Sequence, residues 1–319
     1  MAADQRVPHP RKALAVTEES TNPPQIAAEG LRVGYDRTVV SDNLSVGVPD
    51  GSFTVIIGPN ACGKSTLLRA LARLLPPQQG RVLLDGQDIA TLHTRDVATR
   101  LGLLPQTSIA PEGITVADLV ARGRHPHQGM FTRWSEQDEA AVIAAMAATR
   151  VTELSGRLVD QLSGGQRQRV WVAMVLAQQT PLLLLDEPTT FLDIAHQYDL
   201  LGLCRELNRD RGYTLVAVLH DLNQAARFAT HLIVMKDGAV VTSGPPRTVL
   251  TEELVGDVFD LPCRVIEDPV TSAPLVIPLD AQHSPPTGVT PVGGEEAGRD
   301  QTRSGNLPSE RIRVFSSSR

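Results

Sequence analysis

The sequence predicts an α/β fold built on a mainly parallel β-sheet, and three features carry that prediction. Short apolar runs at Phe53–Ile57, Leu182–Leu185, Tyr213–Leu219 and Leu232–Met235 alternate with segments of helical spacing. This is the pattern of a parallel sheet covered on both faces. Polar residues collect where the runs end, with Asp186-Glu187-Pro188 after four leucines and His220 after Leu219. Such folds place their ligands at that edge. Between a strand and a helix lies Gly58-Pro59-Asn60-Ala61-Cys62-Gly63-Lys64-Ser65-Thr66, which fits G-x-x-x-x-G-K-[ST], the phosphate-binding loop.

Around that loop the local signals agree. Phe53-Thr54-Val55-Ile56-Ile57 is apolar, rich in β-branched residues and of strand length. Leu67, Leu68, Leu71, Leu74 and Leu75 follow at helical spacing, and Pro76-Pro77 is expected to stop the helix. Backbone N–H groups at such a helix start converge on an anion, and the helix dipole adds to their pull. Lys64 is expected to reach the β- and γ-phosphates and Ser65 to hold Mg²⁺. Asp186, at the end of a buried strand, suits the same Mg²⁺, directly or through water. Glu187, next in sequence, suits the γ-phosphate side as a general base, worth roughly 10²–10⁴ in rate.

The rest of the chain fills in around this centre. Residues 1–25 carry Pro, charge and polar groups without an apolar h-region, and read as a disordered leader rather than a signal peptide. Ile26–Val48 suggests two strands around Gly34-Tyr35-Asp36, with Asp50-Gly51 turning into the loop strand. Gly80–Gly86 and Leu101–Gln106 give further strands, the second ending on a polar residue. From Thr107 to Gln161 the composition turns helical: Thr115–Arg122 is one short helix, and Ser135 with Asp138 caps a longer Ala-rich one reaching about Arg150. Asp237-Gly238 is a hairpin signal. Thr251–Phe259 reads as a small helix, Arg264–Pro278 as short strands, and 281–319 as a disordered tail.

Composition excludes several classes. The 319 residues carry a net charge of −6 with 21% charged residues, so no basic excess points to nucleic acid. Cys62, Cys204 and Cys263 are far apart and form no C-x-x-C, which argues against a disulfide framework or a zinc site. No apolar run approaches the roughly 20 residues of a membrane span. His125 and His127 flank a proline in a charged loop and are expected to be exposed, not metal ligands.

A second motif narrows the field. Leu162-Ser163-Gly164-Gly165-Gln166 opens an apolar helix containing Val170, Val172, Val175 and Leu176, and so makes a second anion site. Two such sites are more than one nucleotide needs. With these residues in place the chain, over 26–280, resembles the ATP-binding cassette (ABC) ATPases, P-loop NTPases of RecA-like fold. The resemblance implies a mainly parallel sheet with antiparallel strands and an inserted helical subdomain. It also implies that two copies sandwich two ATP–Mg²⁺, the loop of one facing Ser163, Gly164, Gly165 and Gln166 of the other. By the same resemblance Tyr35 stacks on adenine, Gln106 contacts Mg²⁺ and the attacking water, Asp193 belongs to a loop crossing the dimer interface, and His220 contacts the γ-phosphate.

One position departs from the family pattern. Ala61 stands where most members have Gly, and a need for φ > 0 there would cost about 1 kcal/mol. Cys62 is then expected to be a thiol at the phosphate site, alkylated in the free protein and protected by ATP. The implied organisation is a nucleotide-binding core of 26–106 and 162–250, a helical subdomain at 107–161 and a small extension at 251–280.

The block Ala121-Arg122-Gly123-Arg124-His125-Pro126-His127-Gln128-Gly129, with Trp134–Asp138, His220–Ala225 and Leu261–Val265, is similar to ATPases of ferric-siderophore, haem and cobalamin importers. It lies nearest the siderophore members. The resemblance implies a peripheral ATPase at the cytoplasmic face of the membrane, with permease subunits as partners and a substrate-binding protein as an indirect one. The alternatives are a cobalamin or haem importer and, from another class, a non-transport cassette of DNA repair or translation.

Overall fold

The computed structural model describes residues 24–280 apart from 37, 130–133 and 191. The expected leader as far as residue 23 and the expected tail from 281 lie outside the described residues. Pro24 and Gln25, assigned above to the leader, instead open strand β1 (Pro24–Tyr35), where Pro24 pairs with Pro49 of β2 (Thr38–Pro49). A first strand residue tolerates proline because its missing N–H need not enter the ladder.

Strand β3 (Phe53–Ile57) is buried throughout and leads through the loop into helix α1 (Lys64–Leu71). The helix ends before Leu74 and Leu75, and proline is not what ends it. The N–H of Leu74 bonds the Arg69 carbonyl and that of Arg73 bonds Ala70, with Arg73 at φ 59°. This is a Schellman closure with arginine at the left-handed position usually given to glycine. Leu74, turned off the helix, is 62% exposed. Strands β4 (Gln79–Leu84) and β5 (Gln87–Asp88) complete an antiparallel sheet of order β2-β1-β4-β5.

Helix α2 (Thr94–Arg100), which no sequence signal marked, runs directly into β6 (Leu101–Leu104). Its apolar face is a single buried residue, Val97, too little to register as a period. Because β6 ends at Leu104, Gln106 stands in the loop beyond the strand. Helix α3 (Val116–Ala121), a 3₁₀ turn at Arg122–His127, and helix α4 (Glu136–Ala148) follow, α4 opened by the reciprocal Ser135–Asp138 box. Then come α5 (Gly164–Ala177), β7 (Leu182–Leu185), α6 (Ile194–Arg211), β8 (Thr214–Val218), α7 (Leu222–Phe228), β9 (His231–Lys236) and β10 (Ala239–Gly244). The chain continues through α8 (Pro246–Val249), α9 (Glu252–Phe259) and the hairpin β11 (Cys263–Glu267)–β12 (Pro274–Pro278).

The main sheet has the order β10-β9-β3-β8-β7-β6, with β10 antiparallel at one edge and the other strands parallel. Alternation along each strand sends its side chains to two separate cores. Ile56, Leu182, Leu184, Val216 and Val218 pack with α1 and the antiparallel sheet. Val55, Ile57, Leu183, Leu185 and Leu215 pack on the other face. Val116 and Leu119 of α3 and Val142 and Met146 of α4 join this second core, so the helical segment extends the core rather than owning one. The β11–β12 hairpin is clasped to α7 by Asn223, whose amide donates to the Val276 carbonyl (3.1 Å) and accepts from the Val276 N–H (2.7 Å).

One polar cluster fixes the helical segment. The Arg124 side chain, 2% exposed, donates to Asp138 Oδ1 (2.8 Å), the Ala177 carbonyl (2.7 Å) and Gln179 Oε1 (2.9 Å). It thereby ties the 3₁₀ turn, the start of α4 and the end of α5. His127, expected to be exposed, is half-buried, and its Nε2 lies 2.7 Å from the Gln178 carbonyl. The Arg124 hydrogen bond holds the Asp138 carboxyl below the usual carboxylate range, helped by Ser135 and opposed by burial. A depressed folded-state value stabilises above the unfolded value and is lost as pH falls through the folded one. Arg124→Met should therefore cost about 3 kcal/mol or more in urea unfolding, since it strands a buried carboxylate. The deficit of Asp138→Asn should hold steady above about pH 4 and shrink as the pH falls further.

Candidate active site

The phosphate loop is shaped by close approach and by left-handed backbone. A Cβ on Gly58 would sit 2.2 Å from the Met235 carbonyl oxygen and 2.7 Å from Cys62 Sγ, so the position admits glycine alone. Ala61 has φ 61°, the left-handed conformation whose cost was anticipated, about 1 kcal/mol for an L-residue. Gly63, at φ 101°, precedes the first residue of α1. Lys64 is 5% exposed and folds back across the loop, its Nζ donating to the carbonyls of Gly58 (2.9 Å) and Pro59 (2.8 Å). One ammonium is thus fixed at the mouth of an array of backbone donors.

The cleft above this loop brings Asn60, Ala61, Gly63, Lys64, Ser65 and Thr66 together with Glu187 and His220. Val40 of β2 also lines it, a contribution no motif foretold. Parallel pairing explains the meeting. Leu104 pairs with Leu185 and Ile56 with Val218, so Gln106 and Glu187, and likewise Gly58 and His220, lie equally far beyond aligned strand positions.

Glu187 is the hub of the cluster. Its Oε1 lies 2.9 Å from His220 Nε2, and its Oε2 accepts from Gln106 Nε2 (2.6 Å) and from the Thr190 hydroxyl (3.2 Å). Glu187 itself adopts φ 50°, a left-handed backbone that a non-glycine residue takes at a cost. Thr190 was not foreseen, although its place three residues after Glu187 is the spacing of a side chain that folds back on a turn.

Asp186 offers a fitting seat for a divalent cation. It is 3% exposed, and its Oδ1 has no hydrogen-bond partner among the described residues. Its Oδ2 lies 3.8 Å from Arg69 Nε. Desolvation pushes its pKa up, while the Ser65 hydroxyl bond and the Arg69 charge pull it down. A buried carboxylate oxygen without a donor, beside a hydroxyl, suits a hard cation that takes oxygen ligands. Arg69 also donates to the Tyr35 hydroxyl (3.3 Å). Sequence reasoning passed over it, although it stands four residues after Ser65 on the same helix face.

Other expected site residues do not line this cleft, although Gly164 lines an adjoining depression with Gln106, Glu187 and Thr190. Tyr35 is 43% exposed at the end of β1. Ser163 caps α5, accepting from the Gln166 N–H (3.3 Å), and Gln166 Oε1 accepts from the Ser163 N–H (3.2 Å). Ser163 and Gly164 face solvent, whereas Gly165 is buried where a Cβ would meet the His196 ring at 2.7 Å. Asp193 caps α6 through the His196 N–H (2.9 Å) and also reaches His196 Nδ1 (2.6 Å). Those bonds hold its carboxyl below the ordinary range. None of Tyr35, Ser163, Gly164, Gly165, Gln166 or Asp193, all of them described, lines the phosphate cleft of its own chain.

Cys62 corrects an expectation. Its side chain is 4% exposed and packs with Ile56, Leu67, Leu68 and Met235, on the core side of the loop. Burial pushes the thiol pKa up, more than the neighbouring Lys64 pulls it down.

A phosphate loop at a helix start, with carboxylates at the end of a neighbouring parallel strand, defines the class of P-loop nucleoside triphosphatases. Within that class the chain belongs to the ABC transporter family, whose model matches residues 41–190. The ferric enterobactin transport ATP-binding protein FepC of Escherichia coli K12 is 56% identical over 80% of this chain and 94% of its own. The probable siderophore transport system ATP-binding protein YusV of Bacillus subtilis 168 is 51% identical over 79% and 92%. Among solved structures, the dimeric bacterial ABC transporter cassette MJ0796 aligns over 69% of this chain and 98% of that one, at 27% identity and TM-score 0.62. The same cassette has been solved in a dimeric post-hydrolysis state bound to ADP and Pi, which aligns with TM-score 0.61 at 26% identity.

A buried, high-pKa thiol reacts slowly, since the thiolate is the nucleophile. Cys62 should therefore resist iodoacetamide in the folded protein at equal rates with and without ATP, and react promptly only in denaturant, as read by mass spectrometry of the loop peptide.

Proposed function

We propose that this chain is the ATP-hydrolysing subunit of an importer, paired with a second copy, and that it energises uptake of a ferric siderophore through a separate permease. The observation that carries the catalytic part is the convergence of His220, Gln106 and Thr190 on Glu187, across a cleft from Lys64 and Ser65. The cargo rests on relatives named for ferric enterobactin and siderophore transport that match about four fifths of the chain. We place the protein at the cytoplasmic face of the membrane, where ATP is available. Among the described residues no helix is long and apolar enough to cross a membrane. A substrate-binding protein would hand cargo to the permease without touching this chain.

In this reading the backbone donors of Gly58–Thr66 hold the phosphates, with Lys64 on the β/γ side. A Mg²⁺ held by Ser65 and Asp186, with Gln106 nearby, would supply charge neutralisation on the phosphate oxygens. Glu187 takes a proton from the attacking water. The water oxygen bonds to the γ-phosphorus as the bond to the β–γ bridging oxygen breaks, giving ADP and phosphate. His220 and Gln106 fix the carboxylate and the water beside it. Tyr35 stacks on adenine. Ser163, Gly164, Gly165, Gln166 and Asp193 close the site of the second copy. Positioning and charge stabilisation do most of the work.

Glu187→Gln keeps the shape and removes the base. It should bind ATP as wild type does, accumulate as an ATP-bound dimer on size exclusion, and turn over about 10²–10⁴ times more slowly. Near-normal turnover would remove Glu187 from this role. The cargo is tested by uptake of radiolabelled ferric enterobactin in cells lacking the gene, complemented with wild type or Glu187→Gln. Restoration by wild type alone, undiminished by unlabelled cobalamin or haem, is the expected result. Normal uptake without the gene, or failure of wild type to restore it, would overturn enterobactin as the cargo, and the same result with hydroxamate and carboxylate ferric siderophores would overturn the siderophore assignment.

A further inference from the structure

The segment after Glu187 and the start of the helix after His220 are joined by two side chains to which the mechanism assigns no part. Gln224 stands on α7, four residues beyond His220, and is 6% exposed. Its Nε2 donates to Gln197 Oε1 at 2.6 Å. Gln197 stands on α6, four residues beyond Asp193, and its Nε2 donates to the Leu192 carbonyl (2.9 Å) and to the Thr189 carbonyl at the limit of 3.5 Å. The orientation of both amides follows from these contacts, because Gln197 must present Nε2 to a carbonyl and so turns Oε1 towards Gln224.

The two side chains close a circuit. Glu187 contacts His220, Asp221 follows His220 and caps α7 by accepting from the Gln224 N–H (2.8 Å), and Gln224 bonds Gln197. Gln197 grips the loop carbonyls on either side of Thr190, whose hydroxyl returns to Glu187. Apart from the short covalent steps and the 2.9 Å His220–Glu187 contact, every link is a hydrogen bond, and losing Gln197 would leave the buried Gln224 donor without its partner, at a cost.

We propose that Gln224 and Gln197 are positioning residues for hydrolysis: they lock the loop 188–193 to the start of α7, so that His220 and Thr190 engage opposite oxygens of Glu187 together. The inference rests on the hydrolytic reading above. It predicts that the relay acts through His220, not through nucleotide binding.

The test is steady-state ATPase kinetics of the full chain with Gln224→Leu, Gln197→Met and the pair, alongside Glu187→Gln and His220→Ala. Each relay variant should lose about tenfold in kcat, the order expected for slight misplacement of a catalytic group, with KM for ATP and the thermal midpoint near wild type. The pair should be no worse than either single change. In a His220→Ala background, Gln224→Leu should cost little more, since neighbours in one network are not additive. Unchanged kcat in both single variants, or full additivity with His220→Ala, overturns the relay. A rise in KM with kcat retained does so too, because it marks a binding role. Gln197 is half-buried, so its variant decides the matter if Gln224→Leu does not fold. Loss in Glu187→Gln without loss in the relay variants removes the relay alone; loss in neither removes the hydrolytic reading with it.

Discussion

Parallel pairing of β3, β8, β7 and β6 is the constraint on which the site depends. Aligned strands run out at nearly the same level, so residues one or two past each end arrive side by side, however far apart they are in sequence. Gly58, Gln106, Glu187 and His220 come from four different strand ends, and the last three meet through their side-chain tips. A slip of one residue in any of these ladders would reverse which side chains face each core and would carry Glu187 out of register with Gln106 and His220. The two cores therefore guard the chemistry: Ile56, Leu184 and Val218 on one face, and Ile57, Leu185 and Leu215 on the other, each vote for the same alignment.

On that rigid frame the loops carry local cost. Ala61 and Glu187 both sit in left-handed backbone that an L-side chain disfavours by roughly 1–2 kcal/mol. Around Ala61 the loop is braced by Lys64, which bonds the Gly58 and Pro59 carbonyls, and Glu187 is held by three side chains around its carboxylate. Such over-determination is what allows strained positions to persist at sites where geometry matters more than ease.

Much of this was legible in sequence because it is local. The strand–loop–helix around Lys64, the cap boxes at Ser135 and Ser163, and the carboxylates after four leucines each lie within a few residues of chain. What escaped was set by contact across the fold. Helix α1 looked longer because Leu74 and Leu75 keep its period, yet Arg73 turns the chain away before them. Cys62 looked like a phosphate-site thiol because sequence gives neighbours but not the side of the loop on which a side chain falls. Arg69 and Val40 carried no motif, and only the folded arrangement brings them to Asp186 and the phosphate cleft, whereas the Thr190–Glu187 contact is local and its three-residue spacing was passed over. The roles proposed for Ser163–Gln166 and Asp193 need a second copy, and a second copy is not written in the local pattern of one chain.

The clasp of Asn223 on β12 has a consequence for solubility. A two-stranded sheet leaves backbone donors and acceptors along its outer margin, and such margins template pairing between molecules. By bonding both the N–H and the carbonyl of Val276, one side-chain amide occupies the place a foreign strand would take. The hairpin is thereby closed to growth at that point by a residue of its own chain, which lets α7 stay braced without offering neighbours a seed for aggregation.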